Sequence, residues 1–143
     1  MVTKKFLIVI PVVIIVFLVI FSAQPSEKKN NIVFHSTMAD LGIYKNGIFT
    51  DSFTASRGEY VFRFVPNGSS PEILSITLVG KNLNFHEDFR LKGTAHQTGI
   101  SEYFTWEYEG LKDILIYEDS EITITINPNG NVKGSVSVDI LQI

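Results

Sequence analysis

The sequence predicts an all-β protein: an antiparallel, jelly-roll-like β-sandwich of about eight or nine strands behind one amino-terminal transmembrane helix. Three observations carry that expectation. The chain opens on an unbroken apolar run. The remainder divides into short alternating segments punctuated by Gly, Asn and Pro. No segment after residue 31 keeps a helical period.

The elements follow in order. Residues 1–5 form a short flank that ends in Lys4 and Lys5. The sixteen residues from Phe6 to Phe21 are all apolar, and Ser22 and Ala23 extend the segment to residues 6–23. At 1.5 Å per residue that is a helix of about 24–27 Å, close to the ~30 Å of a bilayer core. Pro11 is tolerable in such a helix. The rival reading is a cleaved signal peptide, which would leave a secreted protein. Against it, the apolar run exceeds the usual ~7–15 residues, and Ile20 and Phe21 spoil a small-x-small cleavage site. A pilin-like assembly would want a basic-Gly processing site and a Glu inside the run, and neither is present. Residues 24–31, Gln-Pro-Ser-Glu-Lys-Lys-Asn-Asn, read as a polar linker reaching at most about 25–29 Å. The domain at 32–143 is then a single-pass membrane protein's extracytoplasmic part, held close to the bilayer.

Within that domain Ile32–Ser36 is a first short strand. Asn46-Gly47 between apolar neighbours is a hairpin signal. Glu59–Val65 alternates, with Tyr60, Phe62 and Phe64 on one face. Ile73–Val79 is rich in β-branched residues, and Phe85–Leu91 is a weaker segment. Tyr103–Glu109 alternates again, which places Phe104, Trp106 and Tyr108 together as core and Tyr103 on the opposite, exposed face. Ile114–Tyr117, Ile122–Ile126 and Val132–Leu141 complete the set. One self-similarity stands out. Glu59 to Gly68 aligns with Glu121 to Gly130 at an offset of 62 residues, each with three inward residues and each ending in Pro-Asn-Gly. The pair reads either as two convergent hairpins or as equivalent hairpins of a pseudo-symmetric sandwich.

Composition excludes several functions. The 143 residues contain no cysteine, so disulfides, thiol catalysis and Cys-ligated metals are out. A net charge of −3 gives no support for nucleic-acid binding. Gly-x-Ser-x-Gly, His-Glu-x-x-His and phosphate-loop patterns are absent, and no enzyme is expected. His35, His86 and His96 lack a recognised ligand spacing.

The acidic residues are denser. Between Glu102 and Glu121, seven carboxylates face Lys112 alone. Asp113, Glu118, Asp119 and Glu121 lie in the loops there. If those loops meet at one end of a sandwich, they form a Ca²⁺ site; otherwise they are a solvated rim. No other cofactor is implied. Tyr103 is the candidate contact for a carbohydrate, and Asn67-Gly-Ser69 is a glycosylation sequon at an expected turn.

Residues 53–79, from Phe53 through Gly58-Glu-Tyr60-Val-Phe62 and Asn67-Gly-Ser69 to Val79, resemble the core of the GOLD (Golgi dynamics) domain family. The likeness covers 27 of 143 residues. It implies a compact β-sandwich used for protein or lipid contacts in membrane-tethered proteins. The family's paired cysteines have no counterpart here, so only the fold is carried over. The expected function is a non-catalytic binding or structural module at the cell surface with a protein partner. The alternative is a Ca²⁺- or carbohydrate-binding module, and a hydrolase accessory ranks last.

Overall fold

A computed structural model describes residues 31–143. The expected anchor at 6–23, its flank and linker residues 24–30 lie outside the described residues. Among the described residues no helix is long and apolar enough to cross a membrane.

Nine strands form two antiparallel sheets. They are β1 (Asn31–Met38), β2 (Phe49–Ala55), β3 (Gly58–Pro66), β4 (Ile73–Gly80), β5 (Leu83–Gln97), β6 (Glu102–Glu109), β7 (Asp113–Ile116), β8 (Ser120–Asn127) and β9 (Val136–Gln142). One sheet runs β1-β9-β3-β7 and the other β2-β8-β4-β5-β6. Alternation decides which side chains meet between them. Tyr60 and Phe62 come from β3, and Ile122, Ile124 and Ile126 from β8. They close on Leu74, Ile76 and Leu78 of β4 and Val138 and Ile140 of β9, all buried. Each fully buried large aliphatic or aromatic side chain contributes about 1.5–3 kcal/mol from apolar burial. Phe62, Phe64, Phe85 and Phe89 add an aromatic cluster with ring centroids 4.7–5.7 Å apart.

The self-similarity is a real repeat of structure. Phe62 pairs with Ile140 as Ile124 pairs with Leu78; Phe64 pairs with Val138 as Ile126 pairs with Ile76. Each pair maps onto the other by the same shift along the chain. Outside them, β7 flanks β3 as β2 flanks β8. A pseudo-twofold axis therefore exchanges β2-β3-β4 with β7-β8-β9. The hairpin part of the expectation is corrected. β3 and β4 lie in different sheets, and so do β8 and β9. The two Pro-Asn-Gly turns are arches between sheets, because the residues before and after each must face one core from opposite sides.

Several elements differ from the sequence reading. Phe49–Ala55 is a strand although its alternation breaks at the exposed Asp51; Phe49, Phe53 and Ala55 alone are buried. The Asn46-Gly47 turn forms, with φ of 53° and 80°. It closes only the bridge between Lys45 and Ile48. β5 runs six residues past the expected Leu91, through Lys92–Gln97, and β9 starts only at Val136.

One buried charge lies off the core. Asp139 on β9 is 2% exposed and faces outward between β1 and β3. Its carboxylate accepts from His35 Nδ1 at 2.5 Å and from Arg63 Nε and Nη2 at 2.9 and 2.7 Å. Burial pushes this carboxyl up, but the hydrogen bonds from His35 and Arg63 outweigh burial and hold it below its ordinary value.

Candidate functional site

The two Pro-Asn-Gly turns come together at one end of the sandwich. Asn67 Oδ1 accepts from the Ser69 amide at 2.8 Å, and Asn127 Oδ1 accepts from the Asn129 amide at 2.9 Å. These side-chain caps hold each turn in shape. Ser69 and Asn131 occupy equivalent places in the repeat, and they touch: Asn131 Nδ2 donates to the Ser69 carbonyl at 3.2 Å. Ser70 ties the first arch down. Its buried hydroxyl donates to the Ser135 carbonyl at 2.5 Å and accepts from the Asn67 amide at 2.9 Å.

Beyond this end the sheet continues as an arm. β6 pairs only with Arg90–Gln97, the outer part of β5, while Leu83–Arg90 pairs with β4. Opposite residues share a face, so Leu91, Gly93 and Ala95 lie with Tyr108, Trp106 and Phe104. This corrects the expected core triplet. Tyr108 is 1% exposed, and its hydroxyl donates to the Pro71 carbonyl at 2.6 Å. Trp106 is 37% exposed and Phe104 50%. The alternation is right, but the other sheet ends before it reaches them.

Trp106 sits on an absence of side chains. A Cβ on Gly93 would come within 2.7 Å of its six-membered ring, and one on Gly68 within 3.3 Å. Glycine at both places lets the indole lie against the arm and the first arch. Phe104 is stacked beside it, centroids 5.9 Å apart and planes 26° from parallel. The arch, the start of β4, the arm and the second turn enclose a pocket of about 700 Å³, with Trp106 and Leu91 beside Ser69, Glu72, Arg90 and Asn131. Among the described residues no ion pair holds Glu72 or Arg90. Of the rings on the arm, Trp106 alone lines this pocket; Phe104 lies farther out along the arm.

The residues singled out from sequence fall elsewhere. Tyr103 is exposed, but on the other face of the arm, stacked on His96 at 4.9 Å. Asp113 starts β7, whereas Glu118 and Asp119 follow its far end and Glu121 lies on β8. Their oxygens bind protein donors: Glu118 takes Lys81 and Asn82, Asp119 the Arg57 amide, and Glu121 the Ser52 hydroxyl. Among the described residues no three of His, Asp or Glu converge as a metal would need. His35 is bound to Asp139, His86 to Thr77 and His96 to Thr105. Asn67 is exposed at the lip of the pocket, next to Gly68. Glu72, Arg90 and Asn131 carry no motif and are separated by up to 59 positions; only the repeat, which aligns Asn131 with Ser69, hinted that the turns belong together.

The chain matches no family model and no curated protein.

Proposed function

We propose that this chain is a non-catalytic binding module, membrane-tethered and extracytoplasmic, that engages its ligand at the end of the sandwich carrying the arm. The observation that carries the reading is the opposition of that end to the start of the domain. Asn31 pairs with Gln142, and Gln142 with Tyr60, at one end of the sheet; Met38, Val136 and Pro66 lie together at the other. Six residue steps separate the two, about 20 Å. A chain anchored through residues 6–23 and a short linker therefore turns its pocket and arm away from the bilayer. The jelly-roll reading fits the strand order: without β6, the sheets run 1-9-3-7 and 2-8-4-5, two interlocked Greek keys. The resemblance of residues 53–79 to the GOLD domain supports a contact-making sandwich.

Two measurements test this. Alkaline extraction of membranes should leave the full chain in the pellet, with the domain open to added protease; a soluble product beginning near residue 24 would replace the anchor with a cleaved signal. A photoreactive phenylalanine at position 104 should cross-link a discrete species in native membranes, and the same probe at Tyr117, at the opposite end, should not. Equal labelling from both positions removes the assignment of the binding end.

A further inference from the structure

We propose that Asn67 is an acceptor site for an N-linked glycan, attached through its side-chain nitrogen on the first arch. The inference rests on the extracytoplasmic placement of the domain, the side of a membrane on which such glycans are found. Of the chain's asparagines, only Asn67 is followed two residues on by a hydroxyl side chain, with glycine and not proline between. The fold leaves that triplet open to an enzyme. Asn67, Gly68 and Ser69 are all exposed, in the arch between β3 and β4. Both hydrogen bonds of the Asn67 side chain end on Oδ1. It accepts from the Ser69 amide at 2.8 Å and from the Ser69 hydroxyl at 2.6 Å. A backbone N–H only donates, so the atom facing it is the oxygen and Nδ2 is turned the other way. Among the described residues Nδ2 has no hydrogen-bond partner.

The repeat supplies an internal comparison. Asn129-Gly130-Asn131 stands in one half where Asn67-Gly68-Ser69 stands in the other, and its third residue has no hydroxyl. Asn129 has a positive φ of 51°. Its Nδ2 donates to the Ile73 and Asn127 carbonyls at 3.1 and 3.3 Å and to the Ser75 hydroxyl at 3.0 Å. That nitrogen is tied down against β4. Asn67 has the opposite arrangement, with the oxygen bound and the nitrogen open. This suits the transfer. The donor is a sugar whose anomeric carbon carries a phosphate-linked leaving group. The bond from Nδ2 to the anomeric carbon forms as the bond from that carbon to the phosphate oxygen breaks. The phosphate leaves with the bonding pair, and one Nδ2 proton passes to a base of the transferase. As the proton leaves, negative charge builds on Oδ1, where both Ser69 donors already point. The Ser69 hydroxyl is therefore part of the acceptor.

The test uses the full chain, expressed in a host that N-glycosylates its surface proteins. Mass spectrometry of intact glycopeptides should find a glycan on the peptide that holds Asn67 and on no other. The intact glycopeptide is read because an Asn-Gly pair also loses its amide nitrogen unaided, which mimics enzymatic release of a glycan. Asn67→Gln and Ser69→Ala should each lose the glycan and keep the thermal midpoint of the deglycosylated parent. Ser69→Thr, which retains the hydroxyl, should retain the glycan. A reporter site separates this proposal from the placement it rests on. Gly99→Asn, in the turn between β5 and β6, makes a second such triplet ending in Ser101. Gly99 is exposed, and a Cβ there meets nothing within 4 Å. If the reporter is modified and Asn67 is not, the proposal is overturned and the extracytoplasmic placement stands. If neither is modified, both fall together. A glycan that survives Ser69→Ala also overturns the proposal, since the modification then does not depend on this triplet.

Discussion

The body of the sandwich is symmetric and the arm is not. Eight strands obey the pseudo-twofold: β1-β9-β3-β7 maps onto β5-β4-β8-β2. β6 and the outer half of β5 have no counterpart. In the body, most inward positions are covered from both sheets, so the central side chains are buried and Phe64, Leu83 and Phe85 pack partly buried against them. On the arm, the same alternation continues with nothing opposite it. Trp106 and Phe104 are held by backbone pairing and by the glycine at position 93, and are otherwise presented to solvent. The difference teaches that the duplicated part provides stability, and the part that breaks the duplication provides surface.

The sharpest way to break this comparison is to remove one ring from the body. Phe62 contacts Phe64, Phe85 and Phe89 and is buried. Phe62→Ala should cost about 3–5 kcal/mol, and Ile124→Ala, its equivalent in the other half, about 2–5 kcal/mol. Urea unfolding at constant m-value measures both. Phe104→Ala on the arm should stay within about 0.5 kcal/mol of the parent. A body variant as mild as the arm variant would contradict the division.

Much of the body was legible in the sequence because alternation is a local property. Tyr60, Phe62, Ile122, Ile124 and Ile126 declare their face at intervals of two, and the repeat of Pro-Asn-Gly ties two such segments together. Pairing partners were not legible. Nothing in Glu59–Gly68 says that the next strand crosses to the other sheet rather than turning back, since either course keeps the same residues inward. β2 was missed because a polar residue, Asp51, stands at one of its inward places and interrupts the pattern. The site was hidden for a related reason. Phe104, Trp106 and Tyr108 share a face as read, but where the opposing sheet stops is set by strand lengths elsewhere, in β3 and β9. Gly93, which makes room for the indole, gains its meaning only from a cross-strand register.

A smaller effect is expected at the buried charge of the body. Asp139→Asn removes the charge and one of the two acceptor oxygens shared by His35 and Arg63, both of which still reach water, and should cost about 1–3 kcal/mol at pH 7. The pH dependence has a definite sign. The carboxyl is held below its ordinary value in the folded state, so the unfolded chain binds the proton first as pH falls. The contribution is fully present above the ordinary carboxylate pKa of about 3.9 and is lost as pH drops through the lowered folded value. Unfolding curves of parent and variant should therefore draw together in acid. A gap that stays constant to pH 2 would show that the pair acts through packing and not through ionisation.

A small stability change with a clear spectroscopic one should come from Gly93→Ala. A methyl group there lies 2.7 Å from the indole of Trp106, so the ring must move. The move is cheap, because the ring is the free end of a side chain that is more than one-third exposed, and alanine favours the strand slightly over glycine. These opposing terms should leave stability within about 1 kcal/mol of the parent. The displaced ring loses its near-parallel packing beside Phe104, so its emission should shift. Thermal unfolding and tryptophan emission on one sample read both effects. If the midpoint instead falls as far as it does for Phe62→Ala, the arm is bound into the cooperative unit of the body, and Trp106 is core that the sandwich leaves partly uncovered. If stability holds while emission moves, the arm is a surface built on the body, free to vary in shape without endangering the fold that carries it.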